Sequence, residues 1–382
     1  MTPITVKVQN FRVLQNLQWD PEGCCLLVGP NGSGKSTTLA VLLFLRTLFS
    51  LGHEAAFAAI GGAEHFRRIG TDDKVPVVFE VRVGDVLWKL HFPMSYRGLS
   101  GTFGEELYHG GKPILRAALY GDRWFAGTSE QLFDPSRCCA RVYWDREEPQ
   151  WMRPLQIFLD SIRVYKPFCL EQVRRPESLG VHYLNYTGKN LWAVLQQWQS
   201  AKSRYPGQFE WVIAEAKRAL PETFDRLEFD RGQALFFIPG SFDPAEGMAP
   251  DRAADGLLTA LLQLTAVAGA ARGSLVALDE FGNNLHPHAL RSMLAGITKW
   301  AQEHDLTVLL TTHSTVVLNA FNDHEHTFVM GMGEAGKAHS LAALLDLHDE
   351  DWLAQAKLGS LYERLAFGAP SLPASSPPGP PK

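Results

Sequence analysis

The sequence predicts an α/β fold in which helices cover both faces of a parallel sheet, with a β-rich subregion and a mainly helical insertion. Near the N-terminus, a glycine-rich loop separates an apolar, strand-like run from a helix-like run. The C-terminal part alternates short apolar strands with helices, which is typical of parallel sheets buried on both faces. Between these parts, residues 75–144 have mostly strand-like patterns and residues 154–220 mostly helical spacing.

The first fifty residues predict a pair of strands followed by a strand, a loop and a helix. Residues 6–19 partly alternate between apolar and polar, Cys24–Val28 is uniformly apolar, and residues 38–45 have the composition of a buried helix. Residues 29–37 read GPNGSGKST, which matches the pattern G-x-x-x-x-G-K-[ST]. Because a strand precedes this motif and a helix follows it, we predict a phosphate-binding P-loop.

The chemistry of this loop predicts a nucleotide site with Mg²⁺. Glycines let backbone N–H groups turn towards phosphate oxygens, and the N-terminus of the following helix adds partial positive charge. We expect Lys35 to reach the β- and γ-phosphates and the Ser36 hydroxyl to bind Mg²⁺. The predicted nucleotide-binding residues of the loop are Gly29, Asn31, Gly32, Ser33, Gly34, Lys35, Ser36 and Thr37.

In the middle of the chain, the sequence indicates secondary structure but few candidate functional residues. Residues 52–74 are expected to be rich in loops. A Gly84-Asp85 turn between two alternating runs, at 77–83 and 86–92, indicates a hairpin. The remaining predicted elements are helices over 191–198 and 209–220 and strands near 227–229 and 234–238.

The C-terminal half supplies the acids that a P-loop needs. A helix is predicted over 256–271, and the apolar strand Leu275–Leu278 then ends in two carboxylates. We expect Asp279 to hold Mg²⁺, directly or through water, and Glu280 to polarise the attacking water. The next predicted strand, over 307–310, is followed by His313, which we expect to donate a hydrogen bond to the γ-phosphate. A helix over 288–303, a helix near Val316 and a strand over 327–330 complete this half.

Composition limits the partners and the compartment. The chain has 382 residues with a net charge of −5, so contact with nucleic acid would need a local basic face, such as residues 65–68 or 172–175. Short basic clusters of this kind are more often ordinary solvated surface. No leader peptide and no apolar run of membrane-spanning length is recognised, so we expect no membrane contact. Five cysteines without disulfide or C-x-x-C spacing indicate the reducing cytoplasm, and Cys169 is expected in the core.

The order of these motifs resembles that of the ABC-type ATPase heads. The segments Asn284-Leu285-His286-Pro287 and Thr312-His313-Ser314 resemble the OLD/RecF-like branch of SMC-related prokaryotic AAA ATPases, over about residues 4 to 368. The resemblance implies ATP hydrolysis and a homodimer, or a higher oligomer, that encloses ATP. It also implies that Asp255 and Gly256, in a signature-like segment, face the ATP of the opposite subunit.

Several positions depart from the family pattern. Ala254 replaces the signature serine, which removes a hydroxyl donor, and Gly282 stands where family members often carry an acid. The Q-loop glutamine is not placed, with Gln131, Gln150 and Gln156 as alternatives. No heptad repeat indicates a long coiled coil. The stretch after His313 leaves little room for a Toprim nuclease domain. Weaker similarities lie at residues 188–191 and 358–362.

These observations predict four regions. Residues 1–150 form the N-terminal half of an ATPase head, 151–245 a mainly helical insertion, 246–368 the C-terminal half, and 369–382 a proline-rich, disordered tail.

The function that the resemblance implies is an ATP-driven switch in prokaryotic defence or DNA maintenance, with a separate effector protein such as a nuclease or toxin. One alternative is a nucleotide-sensing scaffold with little turnover. Another is the ATPase subunit of a transporter, which the missing LSGGQ-like segment and the long insertion disfavour.

Overall fold

A computed structural model describes residues 2–64, 66–72, 74–95, 98–99, 103–120, 123–126, 129–131, 136–175, 183–332, 339–354 and 357–363. Contacts divide the chain into two compact units. The acid-strand unit contains Pro21–Leu26 and Ile157–Asn322, and the P-loop unit contains Thr2–Asp20, Leu27–Gln156 and the chain from Asp323 onward. Both units are therefore discontinuous in sequence, and the region boundaries at 150, 245 and 368 stay predictions. The predicted tail, 369–382, lies outside the described residues.

The P-loop unit is mostly antiparallel sheet with helices. Its strands are β1 (Ile4–Phe11), β2 (Leu14–Trp19), the end of β3 (Cys24–Val28), β4 (Val77–Val83), β5 (Val86–Phe92), β6 (Met94–Ser95), β7 (Gly98–Leu99), β8 (Phe103–His109), β9 (Lys112–Tyr120), β10 (Arg123–Ala126), β11 (Ser129–Gln131), β17 (Thr327–Met332) and β18 (His339–Ala343). Its helices are α1 (Lys35–Leu51), α2 (His53–Ala59), α3 (Cys139–Glu147), α11 (Leu344–Leu347), α12 (Glu350–Leu353) and α13 (Leu358–Glu363). The order in its main sheet is β11-β10-β9-β8-β5-β4-β1-β2-β18-β17.

Alternating side chains hold α1 against this sheet. Strand β4 alternates between buried and partly exposed positions, so one face is apolar along its length. Phe79 on β4 stacks on Phe44 of α1, with ring centroids 5.2 Å apart, and Phe92 stacks on Phe103 at 4.4 Å. These rings give α1, and the loop before it, a rigid support.

In two stretches of this unit the prediction missed a helix. Residues 52–74, expected to be rich in loops, also contain α2, because Gly52 with φ +92° ends α1 and the alanine-rich stretch after it favours helix. A Cβ at Gly52 would overlap the backbone of Ser136, so the chain turns where only glycine fits. The mostly strand-like region 75–144 also ends in a helix, α3.

The acid-strand unit is built on parallel strands. Its strands are the start of β3, β12 (Arg163–Tyr165), β13 (Arg226–Asp230), β14 (Gln233–Phe237), β15 (Leu275–Leu278) and β16 (Thr307–Thr311). Its helices are the end of α4 (Arg153–Ser161), α5 (Leu170–Val173), α6 (Leu191–Ser200), α7 (Gln208–Ala219), α8 (Asp255–Ala268), α9 (Pro287–His304) and α10 (Thr315–Phe321).

Strand β15 lies between β12 and β16 and pairs in parallel with both. Every residue of β15 and β16 is buried, as expected for parallel strands with covered faces. The predicted helical stretch 154–220 therefore also contains β12, a strand too short to show a period of its own. Cys169, predicted in the core, is exposed, because it follows β12 in a surface loop. Within the described residues, no helix is long and apolar enough to cross a membrane.

A fully buried carboxylate joins β8 to α3. Glu105 accepts hydrogen bonds from Trp88 Nε1 at 2.9 Å and from the backbone N–H groups of Cys139 (2.6 Å) and Ala140 (2.7 Å). The last two donors belong to the first turn of α3, so Glu105 satisfies donors that the helix leaves unpaired. Burial raises the pKa of Glu105, and the three donors offset only part of this effect.

We expect Glu105→Leu to destabilise the protein by about 3–5 kcal/mol, because three buried N–H donors lose their acceptor. Urea unfolding measured by circular dichroism gives the free energy. Glu64→Leu, at an exposed site, is the control and should change stability by less than about 0.5 kcal/mol. A small loss in Glu105→Leu would contradict the assigned role.

Glu105→Gln tests the charge. Because the folded-state pKa lies above the ordinary value of 4.5, the stabilising contribution of Glu105 is complete below that pH. It is lost as the pH rises through the folded pKa. The stability of the wild type relative to Glu105→Gln should therefore fall as the pH rises from about 4.5. A pH-independent difference would show that the carboxyl is not perturbed.

Candidate nucleotide-binding site

The predicted P-loop runs from the end of β3 to the start of α1. Gly29 has φ +153° and Gly34 has φ +108°, both in the region that favours glycine. A Cβ at Gly29 would lie 2.7 Å from both the Met330 carbonyl oxygen and the Ser33 hydroxyl. At Gly34 it would lie 3.0 Å from Met330 Cε. The loop therefore requires both glycines, because β17 lies directly against it.

Lys35, the first residue of α1, is 8% exposed. Its Nζ donates to the carbonyl oxygens of Gly29 at 2.7 Å and Pro30 at 3.1 Å, so the ammonium group lies over the loop. The buried Ser33 hydroxyl has no hydrogen-bond partner among the described residues. A cationic group and a spare hydroxyl donor in one loop fit a phosphate group.

The remaining predicted loop residues are accessible to a ligand. Asn31, Gly32 and Ser36 are exposed, and Thr37 is half-buried. Ser36 belongs to the first turn of α1, where N–H groups lack helical partners. The donor set of the loop therefore fits a polyphosphate, and Ser36 would supply an oxygen to a bound Mg²⁺.

The sequence did not assign Tyr362 a role at this loop. Its hydroxyl donates to the Gly29 carbonyl oxygen at 2.9 Å, and partial burial raises its pKa. Tyr362 lies in α13, far from the loop in sequence. The only sequence signal was the weak family similarity at 358–362, which did not indicate this contact.

The acid-strand unit brings Asp279 and Glu280 to the carboxyl end of β15. The Asp279 N–H donates to the Tyr165 carbonyl oxygen of β12 at 2.9 Å, and the Phe281 N–H to the Thr311 carbonyl oxygen of β16 at 2.7 Å. Both neighbouring strands therefore fix the chain at the two acids.

Thr311 is the residue here that sequence reasoning missed. Its buried hydroxyl donates to Asp279 Oδ1 at 2.6 Å and accepts from the Glu280 N–H at 2.9 Å. One hydroxyl thus orients both acids. The repeated threonine before His313 was visible in the sequence, but its contact depends on the register between β15 and β16.

Glu280 has an unusual backbone conformation, with φ +55°. For a non-glycine residue this conformation costs about 1–3 kcal/mol and clusters at functional sites. The Glu280 side chain is exposed, and its Oε2 accepts from Asn283 Nδ2 at 2.5 Å. His313 is also exposed and follows the carboxyl end of β16, the strand paired with β15. The three predicted residues therefore follow neighbouring strands in one unit.

The signature-like segment begins α8. Ala254 is the N-cap residue and provides no side-chain hydrogen bond, while Asp255 lies in the first turn and is exposed. Arg174 Nη2 donates to Asp255 Oδ1 at 2.5 Å and to the Ala253 carbonyl oxygen at 3.0 Å. The bond to Asp255 raises the pKa of Arg174. Arg174, predicted within a possible basic patch, is therefore held against the signature-like segment.

Gly256 and Gly282 connect this segment to the loop after Glu280. A Cβ at Gly256 would lie 3.3 Å from the Asn284 carbonyl oxygen. Gly282 has φ +91°, and a Cβ there would overlap the Leu290 side chain of α9. A carboxylate side chain at position 282 would therefore overlap Leu290 in its present position.

The three Q-loop alternatives lie in three different elements, and the Q-loop glutamine stays unassigned. Gln131 ends β11, Gln150 begins a 3₁₀ turn and Gln156 lies within α4. The segment that follows β12 begins instead with Lys166.

Comparison with solved structures identifies the fold. A crystal structure of an SMC head bound to the C-winged helix domain of ScpA has a TM-score of 0.53 at 11% identity, over 91% of this chain and 100% of that one. The protein has the SMC-head type of P-loop NTPase fold. The predicted α/β fold class is thereby confirmed. At this identity the similarity concerns the fold alone.

Two other SMC-head structures are more distant in geometry. An SMC head domain from Thermotoga maritima has a TM-score of 0.46 at 12% identity, over 90% of this chain and 99% of that one. A Smc head domain with an extended coiled coil, bound to the C-terminal domain of ScpA derived from Pyrococcus furiosus, has a TM-score of 0.47 at 11% identity, with coverages of 96% and 99%.

The sequence comparison covers a smaller part. Residues 209–319 match the family model AAA_21, described as "AAA domain, putative AbiEii toxin, Type IV TA system". This match includes Asp279, Glu280 and His313 but not the P-loop, and it spans less than a third of the chain. No curated protein matches the sequence.

We expect Gly282→Ala to destabilise the protein more than Gly273→Ala, measured by urea unfolding. Both glycines have positive φ, which costs an alanine about 1–2 kcal/mol, but only position 282 meets a neighbouring side chain. In the Leu290→Ala background, the extra cost of Gly282→Ala should largely disappear. Equal losses at both glycines would contradict the steric explanation.

Proposed function

We propose that this protein binds ATP with Mg²⁺ and hydrolyses it. The observation that carries the proposal is the complete P-loop at the start of α1, with its required glycines, its buried Lys35 and its unpartnered Ser33 hydroxyl. The SMC-head fold and the match of residues 209–319 to an AAA domain support it. Lys35 and the N-terminus of α1 neutralise phosphate charge.

In the proposed reaction, Glu280 orients a water molecule for in-line attack on the γ-phosphorus. The water oxygen forms a new bond to phosphorus and the bond to the β–γ bridging oxygen breaks, which gives ADP, phosphate and a proton. Ser36 and Asp279 are the residues that would hold Mg²⁺, and the ion would neutralise phosphate charge. His313 donates a hydrogen bond to the γ-phosphate. Thr311 keeps both acids in position through its hydroxyl.

The proposal includes an ATP-held homodimer in the cytoplasm. Asp255 is exposed at the start of α8, so it is accessible to a second chain, and Arg174 restrains its orientation. The N-terminus of α8 offers free N–H groups to a partner's nucleotide. One similar SMC head is bound to the C-winged helix domain of ScpA, and by analogy we propose a protein partner here as well.

The biological role that we propose is a switch in prokaryotic defence or DNA maintenance, as in the OLD/RecF-like branch. A separate effector, such as a nuclease or toxin, would act when ATP is bound or hydrolysed. The description of the matching family names a toxin and a Type IV toxin–antitoxin system, which supports a role of this kind.

A scaffold that binds ATP with little turnover is the second candidate. Ala254 favours it, because an N-cap without a hydroxyl removes one donor from the segment proposed to meet a partner's nucleotide. Binding and turnover measurements separate the two candidates.

The first experiment measures steady-state ATP hydrolysis and ATP-dependent mass by light scattering. We expect Lys35→Ala to lose nucleotide binding, and Glu280→Gln to lose turnover by at least about 100-fold while it accumulates an ATP-held dimer. Lys74→Ala, an exposed lysine outside the loop, is the matched control. Tight ATP binding by the wild type without turnover would favour the scaffold.

Duplex DNA in the same assay tests for a nucleic-acid partner. If DNA contacts basic residues, its affinity should fall steeply with added salt, because phosphate binding releases counterions. Arg175→Ala should then weaken binding. Binding that does not depend on salt, or no binding, would remove DNA as a partner and leave the ATPase proposal intact.

Thr311 allows a test of positioning. We expect Thr311→Val to reduce kcat by about 10–100-fold and to raise the Mg²⁺ concentration needed for half-maximal rate, because Asp279 and Glu280 lose their shared hydroxyl. Thr311→Ser should restore most of both. Thr307→Val, at the opposite end of β16, controls for loss of a buried hydroxyl. If Thr311→Ser and Thr311→Val had equal defects, Thr311 would act through its packing and not through its hydroxyl.

A further inference from the structure

The helix α13 contacts the phosphate-binding loop at the Gly29 carbonyl oxygen. This oxygen accepts hydrogen bonds from Lys35 Nζ at 2.7 Å and from the Tyr362 hydroxyl at 2.9 Å. A carbonyl oxygen has two lone pairs, so the two donors together satisfy it. Gly29 is buried, and bulk water therefore does not freely replace a donor that is lost.

Both sides of this contact are held in place. In α13, Leu358 and Leu361 are buried, and they anchor the helix while Tyr362 stays half-buried beside the loop. On the loop, a Cβ at Gly29 would lie 2.7 Å from the Met330 carbonyl oxygen of β17. Because β17 lies this close, the backbone at Gly29 has little room to follow the Lys35 side chain if that side chain moves.

The contacts of Lys35 conflict with its proposed role at the phosphates. Its ammonium group has three N–H donors, and two of them point to the carbonyl oxygens of Gly29 and Pro30. Hydrogen bonds to oxygens of both the β- and γ-phosphates need two donors. At least one carbonyl bond must then be given up, and a buried acceptor left without a donor weakens the binding that causes the loss.

We propose that Tyr362 is a positioning residue for ATP binding. Its hydroxyl keeps the Gly29 carbonyl oxygen satisfied when Lys35 turns from the loop to the phosphates, so the lysine can be released at low cost. Tyr362 acts through Gly29 and does not contact the nucleotide. This inference rests on the proposed binding of ATP. Because coupling between two binding events is reciprocal, ATP in turn strengthens the attachment of α13 to the loop.

The first test measures the coupling between the two donors without nucleotide, by urea unfolding. Tyr362→Phe removes only the hydroxyl. We expect it to raise the equilibrium constant for unfolding by about threefold in the wild type, where Lys35 still donates to Gly29. In a Lys35→Met background the oxygen loses both donors, and the increase should be at least about tenfold. Equal increases in the two backgrounds would overturn the inference.

The second test measures ATP binding and turnover. We expect Tyr362→Phe to raise the Kd for Mg·ATP and the KM by about tenfold, through the cost at Gly29. Its kcat should stay within about twofold, because the hydroxyl supports Lys35 equally in the ground state and the transition state. A loss of folded protein would instead lower the apparent kcat at unchanged KM. Tyr186→Phe, at a tyrosine that is 77% exposed, is the matched control and should change none of these values.

Hydrogen exchange gives a direct readout of α13. Addition of ATP should slow exchange of the amides of residues 357–363 in the wild type, and much less so in Tyr362→Phe. If the wild type binds ATP but Tyr362→Phe has the same Kd and the same exchange, the inference alone is overturned. If the folded wild type binds no ATP, the proposed function is overturned and the inference falls with it.

Discussion

The parallel pairing of β12, β15 and β16 is the constraint on which the acidic half of the candidate site depends. Parallel strands end at the same edge of their sheet, so groups that follow them converge. Here backbone hydrogen bonds to the neighbouring strands continue beyond β15, because the Asp279 N–H bonds to Tyr165 and the Phe281 N–H bonds to Thr311. Glu280 lies between these two fixed points, which explains how the structure maintains its positive φ.

Contacts with neighbouring segments also fix the conformation of the phosphate-binding loop. Its close contact with β17 excludes a Cβ at Gly29, and the Gly29 carbonyl oxygen receives both Lys35 and Tyr362. A loop held from several directions keeps its donors preorganised, which is how a P-loop gains affinity without rearrangement. The ring stacking beneath α1 contributes by fixing the helix at which the loop ends.

The structure shows what surrounds the positions that depart from the expected ABC-type pattern. A side chain at Gly282 would overlap the Leu290 side chain, in addition to the cost of the positive φ. Ala254 leaves the start of α8 without a side-chain cap, and Arg174 instead organises this segment through Asp255 and the Ala253 carbonyl. Lys166 follows β12 and lines one cavity, of about 250 Å³, together with Asp279 and Glu280.

The sequence by itself determined the fold class, the P-loop motif and the bounds of a few strands. Cys24–Val28 and Leu275–Leu278 were predicted with the ends they have in the structure, because buried parallel strands are unbroken apolar runs with sharp limits. It did not reveal α2, the exposure of Cys169, or the contacts of Thr311 and Tyr362. The two contacts depend on which distant segment lies beside the residue: the register between β15 and β16 decides the partners of Thr311, and the position of α13 decides that of Tyr362. Local patterns encode a residue's tendency to be buried, but only the tertiary structure decides what it meets there.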